Sequence, residues 1–147
     1  MIGKLKWALA ALTVVGLAAC AKEAGRVPFT GEGEAESTLS LQSGEVDFWT
    51  DIAIEFEGDA ALAYQVELVQ AGSVVAKAAC NPLGHMSVKM GWVETNLGSS
   101  HSRRGNGKMD CAIELDRGGV TTVKARLAFA ARPPGLKLSR ADLVVKQ

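Results

Sequence analysis

From Val46 to Glu57 the chain alternates strictly. Val46, Phe48, Thr50, Ile52, Ile54 and Phe56 are separated by Asp47, Trp49, Asp51, Ala53 and Glu55. A period of two places the first set on one face of a pleated strand, whereas helical spacing would scatter it around a cylinder. Gly58-Asp59 ends the run. Leu62, Tyr64, Val66 and Leu68 then alternate with Ala63, Gln65 and Glu67, and Ala71-Gly72-Ser73 turns the chain into a small-residue strand over 74–80. Two such runs joined by a short Gly-containing turn predict a hairpin.

The same reading extends through the rest of the chain. Asn81-Pro82-Leu83-Gly84 is a turn. Val88, Met90 and Trp92 mark a strand, and 96–106 reads as a polar loop holding Arg103 and Arg104, closed by Gly107. Met109, Cys111, Ile113 and Leu115 alternate with Asp110, Ala112 and Glu114. Arg117-Gly118-Gly119 leads into a strand over 120–131, Arg132-Pro133-Pro134-Gly135 breaks it, and 136–146 forms the last. With a front strand over 38–43, about eight short strands are expected, and no segment from residue 20 on has a helical period. Gly-rich turns between short alternating strands predict an all-β domain over 37–147, a two-layer antiparallel β-sandwich, with a barrel as the alternative. Residues 21–36 show no period and read as a flexible tether, about 20–25 Å in average span.

The first twenty residues follow a different logic. Lys4 and Lys6 give a positive start, Trp7 to Ala19 is a weakly apolar run of 13 residues, and Leu17-Ala18-Ala19 precedes Cys20. A spanning helix needs about 20 apolar residues, so the layout is that of a secretory signal peptide. The cysteine after two small residues resembles the lipobox of bacterial lipoproteins. The resemblance implies that residues 1–19 are removed, that Cys20 becomes the lipidated N-terminus of a tether over 20–36, and that the membrane is a partner through that lipid. Ala21 in place of Asp resembles outer-membrane cargo of the bacterial cell envelope.

Removal of residues 1–19 leaves 128 residues with 14 basic and 16 acidic side chains, a formal charge of −2. One domain with a sizeable core is possible, and nothing in the balance points to nucleic acid. Cys80 and Cys111 then remain, and an even remainder in an exported chain reads as one disulfide. Charge is uneven along the chain. Residues 28–67 hold ten acidic side chains and no Lys or Arg, while 68–147 hold twelve basic and five acidic. Acidic front strands pairing beside basic rear strands is the ordinary use of such charges. The other reading is an acidic face that meets a partner or a cation.

Three constellations could carry chemistry. Trp49, flanked by Asp47 and Asp51 on the polar face of its strand, forms a possible ligand surface for a glycan or an envelope protein; the blander and favoured reading is that it packs against a neighbouring strand or loop. Asp47, Asp51, Glu55, Glu57 and Asp59 could offer oxygens to Ca²⁺, though a calcium cage wraps a loop around its ion and these lie along a strand. Cys80, His85 and Met90 resemble the copper loop of the cupredoxins. That site needs a second imidazole; no histidine precedes Cys80, and 57 residues follow Met90. His85 and Met90 are therefore not expected as metal ligands, and no cofactor is expected. His101, in a Gly/Ser segment, has no spacing to an acid and a serine that selects a hydrolytic set. The sequence thus points to a lipid-anchored envelope protein with a non-enzymatic binding or structural role. The alternatives are a carbohydrate- or calcium-binding module, or a copper or redox protein.

Overall fold

The computed structural model describes residues 21–147; the expected signal peptide and Cys20 lie outside the described residues. Ten strands follow one another, β1 (Glu23–Val27), β2 (Gly33–Leu41), β3 (Gly44–Glu57), β4 (Ala61–Gln70), β5 (Ser73–Cys80), β6 (Met86–Leu97), β7 (Ser100–Met109), β8 (Ile113–Leu115), β9 (Gly119–Ala131) and β10 (Lys137–Lys146). They form two antiparallel sheets. The larger runs β1-β10-β3-β7-β6, with β8 pairing the start of β3, and the smaller runs β2-β9-β4-β5. The two pack face to face as an all-β sandwich.

The alternation of β3 decides what lies between the sheets. Val46, Phe48, Ile52, Ile54 and Phe56 are buried, together with Leu62, Tyr64, Val66 and Leu68 of β4, Val123, Ala125 and Leu127 of β9, and Ala141, Leu143 and Val145 of β10. Each large apolar side chain so buried stabilises the fold by about 1.5–3 kcal/mol relative to exposure.

Three local expectations are corrected. The segment over 21–36 is not a free tether: it contains β1 and the start of β2. Glu-Ala-Gly-Arg-Val has no readable alternation, but β10 supplies its backbone partners, and a Cβ at Gly25 would collide with the Leu39 side chain of β2. Arg26 fixes β1 further, its Nη1 donating to Asp51 of β3 and Asp142 of β10, each at 3.1 Å. The second correction concerns 96–106, expected as a loop. It is the far end of a long β6–β7 hairpin, because pairing with β3 satisfies the backbone of β7 although its side chains are polar. Third, 109–115 is not one strand. β7 ends at Met109 and β8 begins at Ile113, since β3 hands its pairing from one to the other. Cys111 lies in the step between them.

Candidate functional site

The outer face of the larger sheet holds the residues singled out as a ligand surface, and it holds them differently from expectation. Asp47, Trp49 and Asp51 do point away from the core. Trp49, however, is only 7% exposed. In register it lies between Val144 of β10 and Lys108 of β7, and Lys146 Nζ sits 3.8 Å from the centre of its ring. A cation over the indole face fills the place a sugar would stack on. The two aspartates are likewise engaged. Asp47 Oδ2 lies 3.5 Å from Lys108 Nζ, and Asp51 accepts from Arg26 at 3.1 Å and from Arg140 at 2.9 Å. Expectation of an open Trp49–Asp47–Asp51 surface is therefore corrected. The physical cause is the charge asymmetry of the chain. Folding lays the basic strands β7 and β10 on either side of the acidic β3.

Pairing of opposite charges recurs on the smaller sheet. Glu34 stands opposite Arg126 and Glu36 opposite Lys124. Glu67 stands between Lys124 and Lys77. Glu55 meets Lys137 on the larger sheet at 4.0 Å. The acidic run is distributed into cross-strand pairs rather than collected into one cation site. Among the described residues no group of three or more His, Cys, Asp or Glu is arranged to hold a metal ion.

The copper-type residues are also separated in role. Cys80 is buried at the end of β5, and its Cα lies 5.4 Å from that of Cys111, at disulfide distance. His85 is exposed in the turn before β6. Met90 stands on the outer face of β6, largely exposed.

The surface that sequence reading missed is β6 itself. Nearly all of its 12 residues are exposed, because it is the margin of the larger sheet and, among the described residues, has a partner on one side only. Its two faces differ sharply. Register carries the outer-face parity from Trp49 through Lys108 to Val88, from Asp51 through Asn106 to Met90, and from Ala53 through Arg104 to Val93. Val88, Met90, Val93 and Leu97 thus form an apolar stripe on the outer face, 42% to 73% exposed.

A bulge at Gly91-Trp92 makes this arrangement. The β6–β7 register shifts by one residue between Met90 and Val93, Gly91 has a left-handed φ of 60°, and Gly105 lies across from it. A Cβ on Gly105 would come within 2.6 Å of the Gly91 carbonyl oxygen. The extra residue turns Trp92 inward, so Trp92 does not share a face with Val88 and Met90 as simple alternation implied. An isolated glycine inside a strand pattern was the available signal.

On the inner face the Trp92 indole N–H donates to Glu94 Oε1 at 2.8 Å. That bond, ahead of the nearby Arg103 and Lys89 charges, holds Glu94 below the usual carboxylate range. Lys89 Nζ is 3.7 Å from the same oxygen. Farther along, Asn96 Oδ1 lies 2.6 Å from His101 Nδ1 and accepts from Arg103 at 2.9 Å. The His101 ring packs 5.3 Å from Phe56. Around it an open depression of about 440 Å³ is lined by Glu55, Thr95, Ser102 and Lys137 among others. His101 is thus held by an amide and an aromatic ring.

The chain matches no protein-family model, and no curated protein is similar to it in sequence. The candidate site therefore rests on geometry alone. It is the β6 edge, with an apolar outer stripe and a hydrogen-bonded polar inner row. Its chemistry is that of docking: unpaired backbone groups along a strand margin, apolar area to be covered, and fixed charges that set register.

Proposed function

We propose that this protein is a lipid-anchored, non-enzymatic binding protein of the bacterial cell envelope that docks a partner along β6. The observation that carries the binding role is the uncovered apolar stripe of Val88, Met90, Val93 and Leu97 on a free sheet margin. Apolar residues gathered on an exposed edge strand favour association. The anchoring half of the reading is supported by Lys4, Lys6, the 13-residue run and Leu17-Ala18-Ala19-Cys20. The Cys80–Cys111 spacing suits an oxidising compartment. Ala21 after the lipidated cysteine favours the outer membrane. The partner class is an envelope protein or glycan, not nucleic acid.

Two measurements test this. Mass spectrometry of membrane-extracted protein is expected to show an acylated peptide beginning at Cys20, and Cys20→Ser is expected to release the chain into the soluble fraction. A water-soluble wild type with a free Cys20 thiol overturns the anchor. For the docking face, photo-crosslinking side chains are placed in living cells at Leu97 and, as a control, at exposed Val120 of the smaller sheet. Adducts are expected from Leu97 alone. Equal labelling at both, or none at Leu97, overturns the role of β6.

A further inference from the structure

We infer that the occupant of the β6 edge is a second copy of this chain, docked antiparallel with β6 against β6 so that one sheet runs through both copies. This rests on the reading of β6 as a docking face. The other margins are blunted in ordinary ways. β1 has only five residues, β2 carries Glu34 and Glu36, and β5, although Val74 and Val75 are exposed, is shorter than β6 and carries Lys77. The outer face of β6 carries Val88, Met90, Val93, Thr95 and Leu97, with no charge among them.

Charge complementarity selects the second copy. A strand paired with its own copy about a two-fold axis must place residue i opposite j and j opposite i. Centred between Gly91 and Trp92, such a pairing brings Met90 of one copy against Val93 of the second, and Val88 against Thr95, all on the outer face. On the inner face it brings Lys89 against Glu94 of the second copy, twice, once on each side of the axis. Residues five apart lie on opposite faces of a regular strand, so Lys89 and Glu94 could not face each other in this way without the bulge. The extra residue at Gly91-Trp92 puts both on one face, and Met90 and Val93 on the other. At the axis each Trp92 meets Gly91, which presents no side chain. Opposite charges directly across a strand pair stabilise it, and like charges there oppose it.

The test uses the full lipidated chain purified in detergent, with its copy number per particle measured by light scattering across a dilution series. Two copies are expected for wild type. Lys89→Glu and Glu94→Lys each create two like-charge contacts at the axis and are expected to weaken the dimer by roughly tenfold or more. The double reversal restores both contacts and is expected to recover most of the affinity. Circular dichroism is expected to show the fold retained in all three variants, with a modest fall in the unfolding midpoints of the single variants because Glu94 also meets Lys89 and the Trp92 N–H within its own chain. A wild type that stays single at every concentration, or a double reversal no tighter than the singles, overturns the inference. A photo-crosslinker at Thr95 in native membranes separates this from the broader reading. Adducts at the mass of two chains support self-pairing. Adducts only with another molecule overturn self-pairing and leave β6 as a docking face. Absence of any adduct overturns both.

Discussion

The Thr50 hydroxyl and the Tyr64 phenol lie 2.9 Å apart in the space between the two sheets, and both residues are fully buried. Thr50 comes from β3 and Tyr64 from β4, so this hydrogen bond joins the layers at a position otherwise occupied by apolar side chains. Each group satisfies the other. Tyr64→Phe leaves the Thr50 hydroxyl buried without this partner and is expected to cost about 1–3 kcal/mol. Thr50→Val is expected to cost a similar amount. The double variant replaces both polar groups and is expected to lose less than the sum. Urea unfolding of the four proteins measures this; strict additivity would show that the bond contributes nothing.

Burial pushes the Tyr64 phenol well above its usual range, and the bond to Thr50 offsets only part of that. A folded-state pKa above the unfolded value means that the native state holds its proton more tightly. The associated stability is then complete below about pH 10, the unfolded phenol value, and declines as pH rises beyond it. Tyr64 is the only tyrosine in the chain, so tyrosinate absorbance reports this group alone. The absorbance is expected to rise together with loss of sheet structure rather than ahead of it.

Arg26 bridges Asp51 and Asp142, which stand directly opposite each other across β3 and β10. Arg26→Met keeps much of the stem but leaves two carboxylates side by side without this cation. A loss of about 2 kcal/mol is expected, below the 3–5 kcal/mol of a fully buried pair because the guanidinium is partly exposed. The same change should loosen β1. Faster amide exchange at Gly25 and Val27 than at Ile52 would register it.

The span between Cys80 and Cys111 is 31 residues. A disulfide closing a loop of that size is expected to contribute about 3–4 kcal/mol in the chain-entropy treatment. Peptide mapping without reductant should yield the two cysteines in one linked species. Cys80→Ala/Cys111→Ala should lower the urea midpoint accordingly. Recovery of two free thiols from native protein would contradict the bond.

Much of this was legible in the residues, for a physical reason. β3, β4 and β9 have one face in the core, so burial writes a period of two into their sequence. β1 and β7 have no such imprint. Glu-Ala-Gly-Arg-Val forms a strand because β10 offers backbone partners, and His101 to Gly105 because β3 does, neither of which leaves a pattern in the segment itself. Trp49 shows the same limit at the level of one side chain. Its face was readable from parity, but its exposure depends on Lys146, which arrives from the far end of the chain. The β6 edge was half legible. Val88 and Met90 were evident as strand residues, Val93 and Leu97 were not, and the orientation of the stripe was hidden by the single extra residue at Gly91.

Strand β1 begins at Glu23, and Lys22 already exchanges backbone hydrogen bonds with Gln147. Under the proposed acylation of Cys20, two residues at most separate the lipid from the sandwich, a reach of about 7 Å at 3.3–3.6 Å per residue. The domain then has little room to tumble above the bilayer. Pairing of β6 with β6 about an axis normal to the sheet places both anchors on one bilayer only when the sheet lies flat along it. Because β1 and β6 are the two ends of the same five-strand path, each anchored β1 margin is then about 19 Å from the shared seam at 4.7–4.9 Å per strand. Two short leashes at the outer rims would thus hold the joined sheet down at both ends.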